Sequence, residues 1–118
     1  MKHLSTLAFV AFFILLSSST AMGQVVFKTG NDLVEGKQAY KKTNHNAGDG
    51  VIEALYMGYI TGVHDATYFF YGVSEDVPLS QLISVVGKYL DDHPERWREP
   101  ASRLVIDALT TAFPKKQK

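Results

Sequence analysis

Apolar residues recur in the C-terminal half of the chain with a helical period. After Pro78 they fall at Leu79, Leu82, Ile83, Val86, Tyr89 and Leu90. After Pro100 they fall at Ala101, Leu104, Val105, Ala108, Leu109, Ala112 and Phe113. Spacings of three and four place each set on one stripe of an α-helix, with polar residues behind it. Pro78 suits the first turn of one helix, Pro100 opens the other and Pro114 stops it. Lys115, Lys116 and Lys118 complement that last helix's C-terminal end. The stripes predict a core containing Leu82, Val86, Leu90, Leu104, Val105 and Leu109.

The upstream pattern predicts two more helices. Thr29, with Asp32 three residues on, is a capping pair for a helix over Asn31 to Lys42, weakened by Gly36. Thr43 to Gly50 ("TNHNAGDG") is a loop by composition, with Asp49 capping a long helix over Val51 to Tyr71. "YGVSEDV" (Tyr71 to Val77) then breaks the pattern. "DDHPERWREP" (Asp91 to Pro100) is a charged connector with an extra turn around Pro94 to Trp97. No stretch alternates as a strand, and "QVVFK" at Gln24 reads as a short extended arm. The expected fold is all-α: a small bundle of four main helices with short loops.

Within the long helix, every fourth residue is small: Ala54, Gly58, Gly62, Ala66. A mid-helix glycine costs about 0.5–1 kcal/mol relative to alanine, so two of them ask for a reason. A ridge of small side chains lets another helix approach closely. That contact lies either inside the core or across a two-fold dimer seam. Ile52, Leu55, Tyr59, Ile60, Val63 and Phe70 are expected to cover the core around the ridge. The same helix is crowded with aromatics, and Tyr68, Phe69, Phe70 and Tyr71 cannot all be buried in one core. Such a surplus suits a wide core with a dimer contact, or a partner-facing patch.

The N-terminus changes the picture of where this domain works. A basic start, the ten-residue apolar run Leu7 to Leu16, a Ser/Thr stretch and Ala21-Met22-Gly23 have the layout of a secretory signal peptide over residues 1–23. Ten residues are too few for a bilayer, which needs about 20. The mature chain is expected to start near Gln24, to form one domain over residues 24–118 and to be periplasmic, with no membrane contact after cleavage. Without Lys2 the balance is 11 basic against 12 acidic residues, so nucleic acid is excluded as a partner. The chain has no cysteine. Stability therefore rests on packing, and no thiolate is offered for catalysis or metal binding.

Little else in the chain offers catalytic chemistry. His45, His64, Asp65 and His93 are the only candidates for a metal or acid–base set. His64 and Asp65 point about 100° apart on a helix, and the other two histidines fall in separate connectors. No metal-ligand spacing occurs, and no nucleophile elbow or phosphate loop is present. No catalytic residue, metal ligand or cofactor site is assigned, and the expectation is a non-enzyme.

In order, "YMGYITGVHDA" and "GVSEDVPLSQLISVVGKYLDDHPERWREPASRLVIDALTTAFP" resemble the Rap/Tai immunity proteins of bacterial type VI secretion. The pieces that carry this are Gly58-Tyr59-Ile60, Gly62-Val63, Asp65-Ala66, Gln81-Leu82, Val85-Val86, Lys88-Tyr89-Leu90, His93-Pro94-Glu95, Pro100-Ala101, Ala108-Leu109 and Ala112-Phe113-Pro114. Family members usually carry cysteines, some in disulfides. Here Tyr56 and Lys115 occupy two of those places, and Gly36 and Tyr71 lie near the others. A lost disulfide typically costs about 2–5 kcal/mol, which Tyr56 and Tyr71 are expected to offset by filling volume.

The resemblance implies an exported, commonly homodimeric helical protein that binds a peptidoglycan-cleaving amidase effector and blocks its cleft. A periplasmic helical chaperone or stress-protective protein is the alternative. A cleft inhibitor needs a protrusion, and the two connectors supply the candidates: Tyr71, Glu75 and Asp76 in one, Asp92, Glu95 and Trp97 in the other. Trp97 reads either as a hot spot or as an anchor packed back on the core.

Overall fold

A computed structural model describes residues 27–117. The expected leader, the cleavage point and most of the N-terminal arm lie outside them. The helices are α1 (Gly30–Lys41), α2 (Ala47–Thr67), α3 (Leu79–Asp92) and α4 (Ala101–Ala112), with single 3-10 turns at Tyr68–Phe70 and Pro94–Arg96. The four-helix, all-α expectation holds, as does the extra turn.

Each start has a local cause. The Asp32 carboxylate accepts from the backbone N–H of Thr29 at 2.9 Å and of Lys28 at 2.8 Å, closing the capping box of α1. Asn46 caps α2 by accepting from Asp49 N–H at 2.8 Å, and Asp49 returns the bond to Asn46 N–H at 3.2 Å. This corrects the expected boundary: Asp49 caps from inside the first turn, and the helix starts at Ala47 rather than Val51. Pro78 and Pro100 precede α3 and α4 as cap residues.

α1 packs on α2, α3 packs on α4, and the two pairs close on each other. All six stripe residues named above lie in the core, together with Leu33, Tyr56, Ile60, Ile83 and Phe27. Phe27 anchors the described part of the arm, where Lys28 C=O accepts from Ala101 N–H at 3.0 Å. Lys37 crosses from α1 to α3. Its stem lies over Gly87, where a Cβ would sit 3.3 Å from Lys37 Cδ, and its ammonium pairs with Asp91. That ammonium holds the Asp91 carboxyl below the usual carboxylate range.

At Gly36, α1 meets the Tyr56 ring of α2. A Cβ there would lie 2.7 Å from Tyr56 Cδ2 and 2.9 Å from Tyr56 Cβ and Cγ. Tyr56 is fully buried, flanked by Phe27 and Tyr40 with ring centroids 6.3 Å away in each case. Among the described residues its hydroxyl has no hydrogen-bond partner, and burial pushes the phenol's pKa far up. The end of the chain is approached in the same way: a Cβ on Gly72 would lie 2.7 Å from Pro114 O and 3.2 Å from Lys115 Cα.

Candidate interaction site

The C-terminal end of α2 turns three rings out and one in. After Thr67, whose hydroxyl donates back to Val63 O at 2.6 Å, the backbone tightens into a 3-10 turn. Tyr68, Phe69 and Phe70 are then 57%, 53% and 59% exposed. Phe69 and Phe70 lie 4.3 Å apart at their centroids, and Tyr68 meets Phe69 edge-on. Tyr71 rotates inward, its hydroxyl 2.7 Å from His64 Nδ1 and 3.4 Å from Thr67 Oγ1. Burial raises the pKa of this phenol. Tyr71 was expected to touch a partner; at 3% exposure it is instead the inner anchor of its loop.

The loop beyond it is clamped to the end of α4. Gly72 N–H donates to Phe113 O at 2.7 Å, and Gly72 needs its missing Cβ to pass the Pro114–Lys115 backbone. Val77 N–H donates to Ser74 O at 3.2 Å, closing a turn that presents Glu75 and Asp76 to solvent.

The other candidate connector lies at the opposite end of α3. Fourteen residues of helix separate the two by about 20 Å, so they do not form one patch. Trp97 donates its indole N–H to Leu90 O at 2.8 Å, and its carbonyl accepts from Asn31 N–H at 2.9 Å. Trp97 is therefore the loop anchor, one of the two readings of the sequence. Arg96 donates to both Glu99 oxygens at 2.9 and 2.6 Å, to Asp107 at 2.7 Å and to the Tyr89 hydroxyl, and it depresses the Glu99 carboxyl's pKa. His93 stacks on Tyr89. Asp92 pairs with Lys88 at 2.6 Å. Glu95 is exposed. This connector's polar groups are largely satisfied within the chain.

The small-residue ridge faces outward. Ala54, Gly58, Gly62 and Ala66 are all exposed, and a Cβ on Gly58 or Gly62 would meet nothing within 4 Å. Of the two readings of the ridge, packing inside the core is corrected: Tyr56 and Ile60, on the opposite face, carry the burial. Val51 (59% exposed) and Leu55 (37% exposed) flank the ridge, so Leu55 does not cover the core as expected; nor does Phe70.

Charge is segregated as well. Between Lys42 and Lys88 there is no lysine or arginine, while Asp49, Glu53, Asp65, Glu75 and Asp76 fall in that interval. Asp49 pairs with Lys42 and Glu53 lies 3.3 Å from His45. Among the described residues no group of three His, Cys, Asp or Glu side chains converges to hold a metal. His45, His64 and His93 each bond within their own neighbourhoods.

The domain thus presents an outward aromatic end beside an acidic loop. The family model for Rap1a immunity proteins matches residues 29–114. The chain belongs to the Rap1a immunity protein family. No curated protein matches it. The matched span covers all four helices, from the cap of α1 to the proline after α4. As a Rap1a family member it is an immunity protein directed at a secreted effector, and its partner is that effector protein. What sequence reasoning missed was the outward place of Val51 and Leu55. The aromatic surplus was visible, but which rings point out depends on the 3-10 turn after Thr67.

Proposed function

We propose that this protein is a non-catalytic periplasmic inhibitor of a peptidoglycan-cleaving amidase delivered by type VI secretion. The observation that carries the contact surface is the end of α2, where three exposed rings stand beside Glu75 and Asp76, exposed carboxylates that pair with no cation among the described residues. Aromatic side chains supply contact energy at interfaces, and the carboxylates steer encounter with a basic surface. The signal-peptide layout of residues 1–23 supports the periplasm, where peptidoglycan is cleaved. The protein dimerises through α2. The open ridge Ala54, Gly58, Gly62 and Ala66 admits a second helix closely, and Val51 and Leu55 add apolar area beside it.

The test uses peptidoglycan amidases of the type VI effector class, purified as candidate partners. Calorimetric titration and a peptidoglycan-digestion assay should give tight binding and loss of digestion. The variant Phe69→Ala/Phe70→Ala should weaken binding by about 2 kcal/mol or more with its melting curve unchanged. Unimpaired digestion at excess protein refutes the inhibitor reading. Light scattering should report a dimer for the wild type and a folded monomer for Gly58→Leu.

A further inference from the structure

Beside the exposed aromatics lies a groove of about 300 Å³, lined by His64, Tyr68, Val73, Ser74, Glu75 and Val77. Its walls differ in chemistry. Val73 and Val77 are half-buried and pack on the core, offering an apolar floor. Tyr68 presents an open ring on one side. Among the described residues Glu75 is the one carboxylate lining the groove.

Several carboxylates of the fold are taken up by its own cations. Asp91, Asp92, Asp49, Glu99 and Asp107 each pair with a lysine or arginine of the chain. Among the described residues Glu75 has no ion-pair or hydrogen-bond partner, and the chain has no lysine or arginine from residue 43 to residue 87. Lys115 approaches the same loop, but its backbone sits against Gly72 and it does not line the groove.

An apolar floor, an open aromatic face and one uncompensated carboxylate suit a long side chain with a cationic head. The stem lies along the valines, the head stacks on the ring, and the carboxylate accepts its N–H groups. A guanidinium meets both of the last two demands, because it is planar, stacks on aromatic faces and binds a carboxylate through two parallel N–H bonds. We infer that this groove receives an arginine side chain from the protein's effector partner. The inference rests on the effector-binding reading above and names the chemical group that reading requires on the other side.

The probe is N-acetyl-arginine methylamide, titrated into the purified ¹⁵N-labelled protein and followed by amide shifts, with the neutral citrulline analogue in parallel. Saturable shifts confined to Tyr68 and Val73 to Val77, absent with citrulline, are expected. Glu75→Gln should weaken the arginine response roughly tenfold or more. Equal shifts from citrulline, shifts elsewhere only, or none up to the probe's solubility overturn the inference. The two proposals fail separately. An amidase that is inhibited equally well by the wild type and Glu75→Gln leaves the inhibitor reading standing and removes the groove. A saturable arginine response in a protein that inhibits no amidase keeps the groove and removes the inhibitor reading.

Discussion

Replacing a glycine by alanine should have opposite effects at two places in this fold. At Gly36 the new methyl group would sit 2.7 Å from Tyr56 Cδ2 and 2.9 Å from Tyr56 Cβ and Cγ. Those last atoms lie next to the α2 backbone, so the ring cannot swing clear, and the helices themselves must part. Overpacking of this kind typically costs about 1–3 kcal/mol. The alanine returns about 0.8–1.0 kcal/mol of helix propensity. With a fully buried ring on one side, the steric cost falls at the upper end, leaving a net loss of about 2 kcal/mol. At Gly58 and Gly62 a methyl group meets nothing, so only the propensity acts, and each alanine should stabilise the monomer by about 0.5–1 kcal/mol. Urea unfolding measures all three, at concentrations where light scattering reports a monomer. For a domain of this size, 1 kcal/mol corresponds to roughly 4–8 °C in Tm, well within resolution. A Gly36→Ala protein as stable as wild type, or monomers destabilised by Gly58→Ala and Gly62→Ala, would refute the reasoning.

Tyr56→Phe should be neutral or stabilising by about 1 kcal/mol in the same unfolding experiment, because it removes a buried hydroxyl with no partner among the described residues. Leu104→Ala and Leu109→Ala should each cost about 2–5 kcal/mol, since both side chains are almost wholly enclosed; two variants that melt like wild type would disprove the α3–α4 core. Trp97→Phe keeps most of the ring but loses the bond to Leu90 O, and should cost about 1 kcal/mol in unfolding while leaving effector affinity unchanged. Acid should destabilise the fold. The carboxyls of Asp91, Glu99 and Asp49 have pKa values held below their ordinary values by Lys37, Arg96 and Lys42 respectively. Groups with depressed folded-state pKa stabilise the native state above their unfolded values of about 4, and that contribution is lost as pH falls through the lower folded values. Thermal melts between neutrality and pH 2 should fall chiefly below about pH 4, and a Tm unchanged across that range would contradict the pairing.

The two C-terminal helices were legible because their apolar residues occupy one narrow stripe each, leaving no choice of face. α2 was less so. It is apolar on nearly every side, so periodicity alone did not decide that Tyr56 and Ile60 go in while Leu55 goes out. Its start was missed because Gly48 and Gly50 argue against helix, although the Asn46–Asp49 box that overrides them was present in the sequence. Gly36 was read as a weakness in α1, because the reason for it is a ring twenty residues away. Tyr71 was assigned to a partner because a short 3-10 turn shifts the phase by which side chains leave the helix. The acidic loop was visible in composition; that it lies far from Trp97 required the length of α3.

The ring of Tyr56 seated over Gly36 has a consequence in time. Disulfide formation and reshuffling take seconds to hours and wait on an oxidant. A ring entering a notch between neighbouring helices waits on neither, and helical folds dominated by local contacts fold within microseconds to milliseconds. With no cysteine anywhere in the chain, no thiol chemistry stands between synthesis and the finished surface. An antidote is useful only if it is ready before the poison, and the folding of this one waits on no oxidant.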